Sequence, residues 1–388
     1  MRVFRGGTIY PVTSPPLSDG MIVVEDNGKI SYVGPAKEVP GKEGIDLVDC
    51  TGKVVMPGFV DAHTHIGMWS EWYGWPEEDG NEATNPVTPE VRAMDAIWPE
   101  HTAFRDAREG GVTTVQIIPG SANVIGGQAV VVKTSGKTVE EMMVKSPSGM
   151  KAAFGENPKS VYGKDQKSPM TRMGVASVMR AALTKARDYM AKMERGEKDP
   201  ERAPDTDLGM LALVRVLKKE MPMRFHAHRA DDIATAIRIA REFDLDFSIE
   251  HCTDGATIAE FLGTLGARVH VGPFPSTRSK VELRNLSPRT PAILQKAGCK
   301  VSIISDHPFH PVQFYSVALA TAWANGMPEE EALKAGTINP AESLGVAGRV
   351  GSLEPGKDAD IVVWSGHPFK VRSKVEKVFI EGKLVYQR

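Results

Sequence analysis

Between residues 57 and 349, short apolar strand-like runs alternate with longer helix-like runs, and this alternation restricts the fold more than any other feature. Strands separated by helices pack as a parallel sheet, because parallel neighbours need a crossover long enough to hold a helix. The strand candidates are residues 59–63, 113–118, 129–133, 150–154, 223–226, 247–250, 268–272 and 300–305. Eight strands suffice to close a (β/α) barrel. Helices are expected over 89–109, 173–194, 208–219, 231–243, 256–265, 288–297 and 328–335, with a charged loop over 194–207. Both ends have a different texture. Strand-like runs flank Asn27-Gly28 and Glu381-Gly382, the turn residues of hairpins. The ends are therefore read as one small β-domain, residues 1–56 plus 350–388, beside a barrel of residues 57–349.

In such a barrel the chemistry sits at the C-terminal ends of the strands. The first strand ends in His63-Thr64-His65, two imidazoles that point the same way in a strand. The fourth ends in Phe154-Gly155-Glu156, the fifth in His226-Ala227-His228, the sixth in Glu250-His251 and the eighth in Ser305-Asp306. Imidazole and carboxylate suit borderline divalent metals. His63, His65, Glu156, His226, His251 and Asp306 are the candidate ligands. A metal-bound water is a nucleophile at neutral pH, and Asp306 is placed to bind an ion and accept that water's proton. Glu156 is favoured as a carboxylate bridging two ions. Lys151, earlier in the same strand, is its alternative.

The composition is that of an average soluble protein, with 41% apolar and 25% charged residues. A net charge of −2 gives no electrostatic case for nucleic acid or an anionic membrane. The N-terminus lacks the apolar core of a signal peptide, and no stretch approaches a membrane span. Cys50, Cys252 and Cys299 are scattered and odd in number. A cytoplasmic protein without a disulfide framework is expected.

Several motifs together resemble the amidohydrolase superfamily: Pro57-Gly58-Phe59-Val60-Asp61-Ala62-His63-Thr64-His65, Ile249-Glu250-His251, Ser305-Asp306, Asn339-Pro340-Ala341 with Leu344-Gly345, and the run from Gly351 to Val362. Within it the chain is most similar to the branch of imidazolonepropionase-related enzymes that includes Xaa-Pro dipeptidase-like proteins. The resemblance implies a distorted (β/α)8 TIM barrel with a small β-sandwich domain built from both termini. It implies one or two divalent ions, Zn first with Mn or Fe as alternatives, and a homo-oligomer. Many two-metal relatives bridge their ions with a carboxylated lysine on strand four, which keeps Lys151 open. Related deaminases and imidazolone hydrolases carry a glutamate three residues after the fifth-strand histidine, where this chain has Arg229. That departure favours amide hydrolysis of a small substrate, such as a dipeptide, an N-acyl amino acid or a cyclic amide. A mononuclear imidazolone or cyclic-amidine hydrolase, or a deaminase, is the alternative. A catalytically silent relative should have lost ligands, and this chain keeps every matched position.

Arg229, Arg278 and Lys280 are candidates for binding an anionic group of the substrate. Alternation turns His228 away from His226, towards a packing or supporting role. His270 reads as a satisfied interior histidine. Trp69, Trp72, Tyr73 and Trp75 suggest a lid or an apolar substrate wall.

Overall fold

The computed structural model describes residues 1–36, 44–69 and 77–388. Trp72, Tyr73 and Trp75 lie outside the described residues. The chain opens with five strands: β1 (Arg2–Ile9), β2 (Leu17–Val24), β3 (Ile30–Pro35), β4 (Asp46–Asp49) and β5 (Val54–Pro57). The barrel strands follow: β6 (Phe59–Thr64), β7 (Val112–Ile117), β8 (Ile125–Lys133), β9 (Met143–Ala153), β10 (Met223–Ala227), β11 (Phe247–His251), β12 (Arg268–Val271) and β13 (Lys300–Ile303). The chain ends with β14 (Ile361–Trp364), β15 (Val375–Ile380) and β16 (Lys383–Gln387).

The two ends form one hydrogen-bonded sheet. β1 pairs antiparallel with β2, while its first half pairs with β4 and its second with β5. β5 in turn pairs antiparallel with β14, which joins the N- and C-terminal parts. Phe4, Ile9, Ile22, Ile30, Val55, Ile361 and Phe379 make its separate apolar core. Both expected hairpins form. Gly28, with φ 77°, closes a three-residue loop as its single left-handed residue, while Glu381 and Gly382, with φ 48° and 74°, have the left-handed values that a two-residue hairpin turn needs.

β5 runs almost directly into β6, so the terminal sheet delivers the strand that carries His63. Gly58 sits at the junction, and its N–H donates to the Asp360 carbonyl at 3.0 Å. A Cβ there would meet the Thr113 side chain at 2.1 Å, so only glycine fits. A buried ion cluster also joins the units: Lys133 on β8 lies 3.0 Å from Asp358 and 2.6 Å from Asp360.

The barrel is distorted, and β8 is the reason. β8 pairs antiparallel with both β7 and β9, whereas β6–β7 and β9 through β13 are parallel. β13 and β6 are not paired as strands. Beyond their ends, the Asp306 N–H donates to the His63 carbonyl and the His65 N–H to the His307 carbonyl, each at 3.0 Å. These bonds bring the first-strand histidines beside Asp306.

The helix expected over 89–109 is confined to Thr102–Glu109 plus a 3-10 turn at Ala93–Asp95. Pro99 interrupts it, because a proline removes a backbone donor and bars the preceding residue from helical geometry. Arg172–Lys198 extends into the expected charged loop and stops before Pro200. Glu156–Gly163, Tyr315–Ala324 and Ile338–Leu344 are helices that the sequence reading did not anticipate.

Candidate metal centre

Strand alternation gives this barrel a polar interior. Asp61 and His63, Thr114 and Gln116, Lys151, Arg224 and His226, Ser248 and Glu250, His270, and Ser302 recur at every second position and are all buried. Their apolar neighbours, such as Val60, Val115, Phe225, Ile249 and Val269, are equally buried. The pattern is that of a strand covered on both faces, one face by other barrel residues and the other by helices.

Two candidate ligands escape this alternation through unusual backbone. His251 has φ 69° and Asp306 has φ 52°, left-handed conformations that side chains other than glycine seldom adopt. At His251 the turn lets two successive residues, Glu250 and His251, both serve the interior. Such strain persists where surrounding structure enforces it, and it concentrates at functional sites.

Five imidazoles converge here, and each is held by its Nδ1. The partner of His63 is Glu250 Oε2 at 2.8 Å, of His65 the Ile118 carbonyl at 2.7 Å, of His226 the Ser121 Oγ at 2.8 Å, of His228 the Thr253 Oγ1 at 2.8 Å, and of His251 the Gly272 carbonyl at 3.0 Å. That leaves Nε2 of each for the interior. Among the described residues His226 Nε2 is buried without a hydrogen-bond partner, an orphan atom that a cation would satisfy. His63 Nε2 and His65 Nε2 lie 3.5 and 3.3 Å from Asp306 Oδ1. Two groups have ligand atoms within 4.8 Å of one another: His63, His251 and Asp306, and His226, His228 and His251. The donor set fits one or two divalent cations.

The electrostatics agree. Burial pushes His63 down to about 3, with Lys151 adding to it, and His251 down to about 4. Burial also holds His226 and His228 well below the ordinary histidine value. These four rings are neutral at pH 7, the form that ligates metals. Burial alone would raise Asp306, but His251, His65 and His63 outweigh it and keep the carboxylate ionised.

Strand β9 corrects one expectation. Glu156 does not join the cluster. β9 ends at Ala153, Gly155 turns the chain with φ 86°, and Glu156 becomes the first residue of a helix, its N–H donating to Glu282 Oε1 at 2.6 Å. Lys151 reaches the cluster instead. It is fully buried, its Nζ lies 3.3 Å from His63 Nε2, and burial lowers its ammonium to about 8. His228 also departs from the reading. β10 ends at Ala227, so alternation no longer governs it, and its ring stacks on His251 with centroids 4.8 Å apart.

The three anion-binding candidates separate. Arg229 is held by Asp231 through two bonds of 2.9 and 2.8 Å. Arg278 is exposed and donates to the Leu286 carbonyl at 3.2 Å. Lys280 alone faces the cluster: its side chain is largely buried, it donates to Asn157 Oδ1 at 2.6 Å, and its charge acts on Asp306, His226, His228 and His251. Its segment is fastened by Glu282, which accepts from Arg172 Nη2 at 2.7 Å, while Arg172 Nε donates to Asp232 at 2.9 Å. Trp69 stands over His65, ring centroids 5.3 Å apart, and meets the exposed Phe309 at 5.6 Å. Sequence reasoning missed Ser121, Thr253 and Glu250 as partners of the imidazoles.

The amidohydrolase family profile matches residues 54–385. The crystal structure of an amidohydrolase from Thermotoga maritima MSB8 superposes with a TM-score of 0.96 at 48% identity, each chain covered completely. Amidohydrolase tasK of Hapsidospora irregularis is 30% identical over 387 residues, covering 93% of this chain. The chain spans only 39% of that relative's length. An imidazolonepropionase of Porphyromonas gingivalis is 25% identical over 427 residues, covering 98% of this chain and 92% of its own. The chain belongs to the amidohydrolase family, hydrolases that act on carbon–nitrogen bonds.

Proposed function

We propose that this protein is a metal-dependent hydrolase that cleaves the amide bond of a small carboxylate-bearing substrate: a dipeptide, an N-acyl amino acid or a cyclic amide. The observation that carries the reading is the set of buried imidazoles fixed through Nδ1 around Asp306. His63, His65 and Asp306 would hold one ion, and His226 and His251 a second, with His228 beside it. A bound divalent ion, Zn before Mn or Fe, supplies an activated water and polarises the carbonyl. Asp306 accepts the proton released as water adds to the carbonyl carbon and returns it to the leaving nitrogen as the C–N bond breaks.

The neutral amine of Lys151 could add to carbon dioxide, releasing one proton to solvent, and the resulting carbamate would supply a further carboxylate-type ligand to the metal site. Lys280 would pair with the substrate carboxylate, and Trp69 with Phe309 would flank its apolar part. Arg229, engaged by Asp231 where related deaminases and imidazolone hydrolases carry a glutamate, offers no carboxylic proton shuttle and disfavours ring deamination. A homo-oligomer working in the cytoplasm on small molecules, without nucleic acid or membrane partners, completes the proposal.

The test is hydrolysis of a panel of dipeptides, N-acyl amino acids, cyclic amides and imidazolones by metal-free protein and after adding Zn²⁺. Amide cleavage that needs the metal is expected. Turnover confined to imidazolones, or activity unaffected by metal, would overturn the reading.

A further inference from the structure

We propose that Glu250 is a positioning residue that fixes the tautomer of His63, and that Arg224, Ser248, His270 and Ser343 lock it in that role. The proposal rests on the metal reading above and deepens it.

Arg224 sets the donor direction along a chain of hydrogen bonds that ends at His63. Arg224 is fully buried and can only donate. Its Nη1 lies 3.0 Å from Ser248 Oγ and 3.3 Å from Ser343 Oγ, and its Nη2 donates to the carbonyls of Ser148 and Ser343 at 3.1 and 2.9 Å. Both hydroxyl oxygens therefore accept from Arg224, and each has one proton to give. Ser248 gives its proton to Glu250 Oε1 at 2.5 Å. Ser343 gives its own to His270 Nε2 at 2.7 Å. His270 must then carry its proton on Nδ1, which donates to Glu250 Oε2 at 2.9 Å. Only one contact of Glu250 remains, the 2.8 Å bond to His63 Nδ1. An ionised carboxylate only accepts, so His63 must donate from Nδ1. His63 Nε2 is left unprotonated, its lone pair turned to the cluster, 3.5 Å from Asp306 and 3.3 Å from the Lys151 amine.

Charge closes the same circuit. Glu250 and Arg224 are both fully buried and opposite in sign, so the network is neutral without a protonated histidine. An unpaired buried charge would be far costlier. The circuit also gives the Asn339-to-Gly345 motif a purpose. Ser343 lies in the helix Ile338–Leu344, which packs against β6 and β13, and it links that helix to the first-strand histidine through two side chains. Carboxylate–histidine–metal arrangements orient the ring and raise its basicity, and their loss costs about 10–100-fold in metal affinity.

Two measurements test this. ¹⁵N-histidine spectra of metal-free wild-type protein should show one ring, identified by its loss in His63→Asn, with Nδ1 protonated and Nε2 bare. A ring protonated on Nε2 would overturn the proposal, and this reading needs no variant of Glu250 to fold. Competition with a chelator should show Zn²⁺ held about 10–100-fold more weakly by Glu250→Gln than by wild type, at unchanged far-UV dichroism. Equal affinity would overturn it. Failure of the wild type itself to bind Zn²⁺ would instead sink the metal reading, so the two failures are distinguishable.

Discussion

Asp306 combines three unusual properties: a left-handed backbone, a carboxylate kept ionised despite burial, and two histidine Nε2 atoms within 3.5 Å. Replacing it by Asn keeps the shape and would remove the proposed proton acceptor. kcat should fall by about 10²–10⁴-fold with little change in melting temperature, measured by steady-state kinetics alongside calorimetry. Lys280→Ala should act differently. If Lys280 pairs with the substrate carboxylate as proposed, KM for carboxylate substrates should rise about 10–100-fold while kcat changes little. An equal fall in kcat would place Lys280 in the chemistry instead. At this scale much was legible. His63, His65, His226, His251 and Asp306 do come together in the structure, as expected of polar residues at the strand ends of a barrel. Lys151 was passed over for Glu156 because position along a strand was taken as reach. A lysine has a long apolar stem, so its Nζ meets His63 from a deeper layer, while Glu156 is carried off by a new helix. His228 was misread because the alternation rule was extended past the last residue of β10.

At the level of elements, β5, β8 and β14 couple the terminal sheet to the barrel. Lys133 on β8 is buried between Asp358 and Asp360. Lys133→Met would take from Asp360 its ion-pair partner, while Asp358 keeps Lys29 and Arg349, and should destabilise the protein by about 3–5 kcal/mol in urea unfolding. The pH dependence follows from Asp358. Burial alone would raise its carboxyl, but Lys133, Lys29 and Arg349 outweigh this and hold it below the usual range. A depressed folded value means its stabilisation is fully present above the unfolded value of about 3.9 and is lost as pH falls through the folded one. The gap between wild type and Asp358→Asn, which no longer titrates, should therefore narrow only below about pH 4; a gap that narrows near neutrality would contradict the assignment. The strand count was legible, but the direction of β8 was not, since a residue pattern carries no arrow. The signal lay elsewhere, in the connection 118–124, which is too short for the dozen or more residues of a parallel crossover.

For the molecule as a whole, the sequence allowed a barrel between two β-rich ends, and the structure places the ends in one sheet whose strand β5 feeds His63 into the core. No helix among the described residues is long and apolar enough to cross a membrane. Because ligation needs the folded cluster, metal should stabilise the whole chain. A hundredfold excess of Zn²⁺ over its dissociation constant adds about 2.7 kcal/mol per site, readable as a higher melting temperature that a chelator reverses. The most direct test of the central claim is the rate of amide hydrolysis followed as metal-free protein is titrated with Zn²⁺, with bound metal counted at each point. The expected result is no turnover without metal, a rise that tracks occupancy up to two ions per chain, and no recovery in Asp306→Asn. Hydrolysis by metal-free protein at the full rate, or a protein that binds no ion, would contradict it.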